Sequence, residues 1–223
     1  MPEHNNIPIA ATERTTVRRN AKRGVYDRAV VNAILDEALI CHVAFVHEGS
    51  PGVIPTAYAR DDRWLYLHGA QKNRALRAVC GQTACISVTL VDGLVLARST
   101  FHHSVNYRSV VLYGEGEEVT DRGEKFKAME LLVEHVMPGR WAEARQPNEQ
   151  ELTATLIVRV PMDECSAKVR VGPPIDDEAD LALGVWAGVL PSSVEWGSAV
   201  PDPQLAPEIS TPPYVTTYRR PSR

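Results

Sequence analysis

The sequence predicts a β-rich α+β fold, an antiparallel barrel flanked by helices. Three observations lead there. Short stretches of alternating apolar and polar residues recur along the chain, as in HVAFVHE (His42 to Glu48) and VIPTAYARD (Val53 to Asp61). Turn residues divide them, with GSPG (Gly49 to Gly52) between the first two and Asp61, Asp62 and Arg63 before WLYLHG (Trp64 to Gly69). No repeating strand–helix–strand unit is found, so an antiparallel barrel flanked by helices fits best.

The elements follow in order. Residues 1–26 read as an N-terminal arm. Asp27 can cap a helix whose apolar stripe is Val30, Val31, Ile34, Leu35, Ala38 and Leu39. The three strands above form a meander, with Pro55 marking an edge or a bulge. Gln71 to Val79 is a short helix, and Ala84–Gly93 and Leu94–Ser99 are two further strands. Ser104–Thr120 is a long strand that Gly114 and Gly116 allow to kink. Asp121 with Glu124 forms a capping box for a helix burying Phe126, Met129, Val133 and Val136. Glu151–Pro161 and Ala167–Gly172 complete about seven strands and three helices. From Pro173 to residue 223 a Pro-rich, acidic tail cannot build its own core and must drape over the barrel or a partner subunit. The whole reads as one domain, 1–223, with an arm and an extension.

Composition narrows the partners. The net charge of −4 offers no global attraction for nucleic acid. Arg14, Arg18, Arg19, Lys22 and Arg23 make either a solvated arm or a polyanion contact. No apolar run approaches the ~20 residues that cross a bilayer. The polar N-terminus lacks a secretory signal, which places the protein in the cytoplasm. Cys41, Cys80, Cys85 and Cys165 show no paired spacing and read as free thiols, not metal ligands.

Two stretches carry chemistry. In LYLHGAQKNR (Leu65 to Arg74) a strand ends at His68 and Gly69, and Lys72 and Arg74 follow at a helix start. Cations beside free backbone N–H groups suit a phosphate, though a surface helix with scattered charge reads equally well. In NYRSVVLYG (Asn106 to Gly114), Asn106, Arg108 and Ser109 precede an apolar run. Arg108 must reach solvent, an anion or a carboxylate, because unpaired burial is expensive. His102 and His103 are adjacent and point apart, so they do not share a metal.

Together these stretches, with GVIPTAY and PGRW (Pro138 to Trp141), resemble the flavin-binding split barrels of the pyridoxamine-phosphate oxidase superfamily. The nitroimidazole-reductase-related (Nim-type) branch is the nearer pattern, over roughly Val17 to Gly172. The resemblance implies an antiparallel, Greek-key split β-barrel, a homodimer with flavin at the subunit interface, FMN as cofactor, and oxidoreductase chemistry on a small organic molecule. It implies that Lys72 and Arg74 hold the phosphate and that Pro55 and Thr56 line the isoalloxazine edge. Asn106, Arg108 and Ser109 fall on the flavin-contacting strand, and His68 lies beside the flavin as a catalytic candidate. The ending YVTTYRRPSR departs from the oxidase proper, which argues against pyridoxamine phosphate as substrate. A haem-binding or haem-degrading split barrel, or a flavin-binding protein with little turnover, remains the alternative.

Overall fold

The computed structural model describes residues 8–221; the first seven residues of the N-terminal arm, and Ser222 and Arg223 of the tail, lie outside the described residues. In chain order the elements begin with β1 (Gly24–Val25), α1 (Arg28–Glu37), β2 (Ile40–His47), β3 (Ser50–Arg60), β4 (Trp64–Ala70) and α2 (Arg74–Val79). Next come β5 (Thr83–Leu96), β6 (Ser104–Glu115), β7 (Glu117–Glu118), α3 (Arg122–Val136), α4 (Arg140–Glu143) and α5 (Glu149–Ala154). The chain closes with β8 (Thr155–Pro161), β9 (Glu164–Arg170), β10 (Gly188–Pro191) and α6 (Pro213–Thr216). Two compact units form from these. One gathers the chain up to Ala38, Ser87–Leu112 and Glu164–Val194; the other gathers Leu39–Ile86, Tyr113–Asp163 and Glu195 onward.

In the first unit the hydrogen-bonded order is β1-β9-β6-β5, and β10 pairs antiparallel with β5 from Gly188↔Leu96 to Pro191↔Gly93. Asp27 caps α1 as expected, accepting from the N–H groups of Ala29 (2.7 Å) and Val30 (3.3 Å). The helix buries Val31, Ile34 and Leu35, while Val30 stays at the margin. The arm is pinned to β9: Thr12 Oγ1 donates to Glu164 Oε1 at 2.5 Å, and Arg14 pairs with the same carboxylate.

In the second unit the order is β2-β3-β4-β8-β7. The β2–β3 turn differs from expectation. Glu48 and Gly49 alone form it, at φ of 50° and 77°, and Ser50, Pro51 and Gly52 already pair with β2. A glutamate in the left-handed region is uncommon, so the Ser-Pro-Gly run looked like the better turn. α3 begins at its Asp121 cap, but Glu124 turns away from the capping box to hold Arg159 at 2.7 and 2.8 Å. Its buried face is also displaced. Ala128 and Leu132, one turn apart, sink onto Ala59, Tyr66, Val119 and Ile157; Met129 packs against the same cluster, Phe126 and Val133 are half-buried, and Val136 is exposed. The small Ala128 side chain lets the helix axis approach the sheet where a Phe or Met would not fit.

Two further corrections concern the stretch before β8 and the extension. Glu149–Ala154 is helical, closed by a capping box between Asn148 and Glu151. The two strands expected between Ala84 and Ser99 are one continuous strand, β5. The tail does drape, and its last part closes α3. Tyr218 donates its hydroxyl to the Val136 carbonyl at 2.7 Å, and Arg220 donates to the His135 carbonyl. These are carbonyls that a helix end leaves unpaired, and a cation there also opposes the helix dipole.

Gly116 separates β6 from β7 and sets where α2 ends. It accepts from Gly81 N–H at 2.8 Å and donates to the Gln82 carbonyl at 3.2 Å. A Cβ on it would lie 2.6 Å from the Val79 carbonyl oxygen and 2.5 Å from Val79 Cγ1. Gly116→Ala must therefore push α2 away. We expect a loss of about 2 kcal/mol, or ~4–8 °C in melting temperature for a chain of this size, measured by circular dichroism.

Candidate functional site

β4 decides where an opening forms in the second unit. It pairs with β8 along its whole length, from Trp64↔Pro161 to Ala70↔Thr155. With β3 it pairs only at Tyr58↔Leu67, Ala59↔Tyr66 and Arg60↔Leu65. Pro55 and Thr56 therefore lie on a stretch of β3 held by β2, opposite His42 and Cys41. His68 lies on a stretch of β4 held by β8, opposite Ile157. Strands that part this way leave backbone and side chains of both facing the gap. Pro55 is exposed, but β3 is not the edge strand expected, since it lies between β2 and β4, and no bulge interrupts its register with β2.

α2 is laid against this end of β4 by Gly69. A Cβ on Gly69 would come within 2.9 Å of both Asn73 Nδ2 and Leu76 Cδ1. The glycine of the HGA sequence thus lets the helix start seat itself, with Asn73 capping it through Leu76 N–H at 3.1 Å. Ala75, Leu76, Ala78 and Val79 are buried, which turns Lys72 and Arg74 outward. Both cations are exposed, and neither has an ion-pair partner among the described residues. Arg77, by contrast, is tied to Glu118 and Gln71. Beside Arg74 lies a pocket of about 290 Å³, lined also by Phe45, His47, Pro51 and Gly52 of the β2–β3 hairpin.

His68 presents part of its ring to solvent and has no hydrogen-bond partner among the described residues. The rest of the ring is enclosed, and that desolvation lowers its pKa below the ordinary 6.5. The side chain is neutral at pH 7, with one ring nitrogen carrying a proton and the other a lone pair.

The remaining sequence candidates lie in the first unit and are occupied by the protein itself. Arg108 faces two carboxylates rather than solvent. It donates to Asp92 at 2.7, 3.0 and 3.2 Å, and to Glu37 Oε1 at 2.8 Å with a second bond to Oε2. These hydrogen bonds, Glu37 first and Asp92 second, hold its pKa far above the usual guanidinium range. Asn106 is buried, donating to the Gly172 carbonyl at 3.1 Å and accepting from Arg170. Ser109 donates to the Lys168 carbonyl at 3.3 Å. In this chain Arg108 and Asn106 are knots tying strands together. Glu37 lies 71 residues from Arg108, so no local pattern in the sequence announced the pair.

The sequence pattern of the pyridoxamine 5'-phosphate oxidase family matches residues 27–169. The chain belongs to that family. A flavocytochrome from Azotobacter vinelandii is 37% identical, over 96% of this chain and 100% of its own, with a TM-score of 0.90. An FAD and heme binding protein from Mycobacterium smegmatis is 35% identical, over 86% of this chain and 95% of its own, with a TM-score of 0.83. A candidate 5-nitroimidazole antibiotic resistance protein from Bacteroides thetaiotaomicron shares the fold at 22% identity and a TM-score of 0.56, over 66% of this chain and 86% of its own. No protein of curated function matches. The family membership and these neighbours establish the antiparallel split-barrel fold that the sequence predicts.

Two outcomes are expected from this geometry. Arg108→Ala leaves Glu37 and Asp92 facing each other without a cation. Both carboxylates keep about a fifth of their surface in water, so the cost falls at the lower end for a broken buried pair, ~3 kcal/mol. Chemical denaturation will show that loss while flavin affinity per folded molecule stays unchanged; the reverse pattern would return Arg108 to the ligand. For His68, an NMR titration will place its inflection below 6.5. Because the folded state resists the proton and the unfolded state accepts it, this residue's stabilisation is complete above 6.5 and is lost as pH falls through the lowered value. His68→Asn will remove that share of the acid dependence.

Proposed function

We propose that this chain binds a flavin through the ribityl phosphate that FMN and FAD have in common, and that it is an oxidoreductase acting on a small organic molecule. The observation that carries the reading is the pair Lys72 and Arg74. Two cations stand exposed and uncompensated at the helix start that Gly69 seats against β4, next to the gap between β3 and β4. The phosphate oxygens satisfy both, by a bidentate arginine contact and a lysine point charge. The residues present fit the group. Pro55 and Thr56 offer one rim of the gap to a flat ring, and His68 offers the other. The flavocytochrome and the FAD and heme binding protein support a flavin over most of the chain length.

The flavin supplies electron transfer when bound. The chain's part is to hold the phosphate with Lys72 and Arg74, to exclude water with the β3 rim, and to hold a proton on a ring nitrogen of His68. A neutral imidazole can donate one proton or accept one near neutral pH. The rate should then inflect where His68 itself titrates, which ties its catalytic role to a measurable group. FMN is the expected form. We further assign the protein to the cytoplasm as a homodimer with the flavin at the subunit interface. Exposed Trp186, Leu190 and Val194 provide apolar surface for such contact.

A second reading has its own support. The Azotobacter vinelandii neighbour is a flavocytochrome and the Mycobacterium smegmatis neighbour binds FAD and heme. We propose that haem is a second group of this chain.

The visible spectrum of the purified protein reads both groups at once. Flavin shows blue absorbance released on denaturation, and chromatography of the released cofactor tells FMN from FAD. For the phosphate contact, Lys72→Ala with Arg74→Ala should weaken FMN by a few kcal/mol, since charge-assisted bonds are worth roughly 1.5–3 kcal/mol each. Riboflavin, lacking the phosphate, should be indifferent. Equal weakening of both ligands would move the phosphate elsewhere.

A further inference from the structure

Two arginines are buried in the first unit, and one of them is not neutralised. Arg108 meets Glu37 and Asp92, whereas Arg170, 5% exposed at the end of β9, meets no carboxylate among the described residues. Its bonds go to neutral oxygens. Nη1 donates to the Asn106 side-chain oxygen and to the Gly172 carbonyl at 3.3 Å, and Nη2 donates to the Pro173 carbonyl at 3.2 Å. Nε is buried with no acceptor at all. A guanidinium carries five N–H donors, and a buried charge without a counter-charge is expensive to keep.

The surroundings add donors and positive charge. β1 pairs with β9 at Gly24↔Lys168 and Val25↔Ala167, which carries the preceding turn, Ala21–Arg23, toward the end of β9 where Arg170 stands. Gly24 lets the arm fold back this closely: a Cβ there would stand 3.0 Å from Val17 Cβ and 3.2 Å from the Ala21 carbonyl oxygen. Arg23 is half-buried and has no ion-pair partner among the described residues. Tyr107 of β6 is also half-buried, and its hydroxyl has no hydrogen-bond partner among the described residues. Burial first, and the charge of Arg23 second, lower the Arg170 pKa below the usual guanidinium range, and among the described residues Tyr107 alone acts against them. Arg19 and Lys22 are exposed on the same arm, without ion-pair partners among the described residues, and favour the approach of an anion.

A guanidinium that merely ties strands together is built differently in this chain. Arg108 has its two carboxylates, and Arg98 Nη1 is held by Asp176 at 2.8 Å. The carbonyls around Arg170 position it without discharging it. Side chains from β9, β6 and the arm thus bring donors together with no acid among them, which is the chemistry of an oxyanion site. The arm cations that the sequence leaves open between solvent and a polyanion acquire a defined place in it through Arg23.

We propose that Arg170, Arg23 and Tyr107 bind a compact oxyanion, a phosphate or a carboxylate, at a site made of residues other than those assigned to the flavin phosphate. The anion supplies the counter-charge that Arg170 lacks and accepts the donors that the fold leaves over.

The test is thermal melting of the full-length Lys72→Ala, Arg74→Ala variant in rising inorganic phosphate, in acetate and in KCl at equal ionic strength. That background removes the flavin phosphate contact. An anion that binds the folded state alone raises the melting temperature, and the titration yields its dissociation constant. Phosphate or acetate should raise it beyond KCl, and the tighter of the two names the anion. Arg23→Gln and Tyr107→Phe, each added to that background, should weaken binding on the order of tenfold, the effect of losing one charge-assisted bond. Arg170→Gln should abolish it. Arg23 and Tyr107 make no side-chain bond among the described residues, so their variants carry the test even if Arg170→Gln fails to fold. A rise that survives unchanged in the variants is the general salting effect of phosphate and overturns the site. So does an equal rise in KCl. The flavin reading stands in either case, because Lys72 and Arg74 are tested by flavin itself.

Discussion

The three-residue ladder between β3 and β4 is the constraint on which the candidate flavin site depends. Backbone N–H and C=O groups need partners, and β4 finds them along its whole length on β8. What it shares with β3 is limited to Tyr58, Ala59 and Arg60. From there the two strands go to different neighbours, and everything assigned to the ligand sits where they part. A longer ladder would have stitched the gap shut.

An open strand edge is a hazard, because it invites another chain to pair with it. β3 answers with Pro51 and Pro55, placed four residues apart and opposite Val46 and His42. A proline keeps its place in a ladder when its missing N–H would have pointed the other way. Both prolines therefore remove donors from the open side while leaving the β2 pairing intact. The same two residues that weaken β3 as a template make its rim apolar, which is what a flat ring requires.

Local signals were legible in the sequence where the interaction itself is local. Asp27 and Asp121 cap helices through bonds two or three residues away, and both could be read from spacing alone. The outward cations Lys72 and Arg74 follow from the buried pattern Ala75, Leu76, Ala78 and Val79 that comes after them. Partners distant in the chain were not legible. Arg108 looks the same in sequence whether it meets a phosphate or Glu37. Thr155–Pro161 is so rich in β-branched and apolar residues that it drew the preceding helical residues into the strand, although Asn148 and Glu151 form the capping box that marks a helix start.

The order in which the chain is threaded through its two units has a consequence during synthesis. Residues 173–194 belong to the first unit and residues from 195 onward to the second. Each unit thus takes its final stretch from the last quarter of the polypeptide. While those residues are still inside the ribosomal tunnel, the β10 flank of β5 is unpaired and the carbonyls of His135 and Val136 have not met Arg220 and Tyr218. The first unit has all its residues only once Val194 is made and the second only at the end of the chain, so neither folds early as the leading domain of a sequential chain does. A message truncated shortly after codon 172 would release a product with both units incomplete, and the cell would meet it as a substrate for proteolysis.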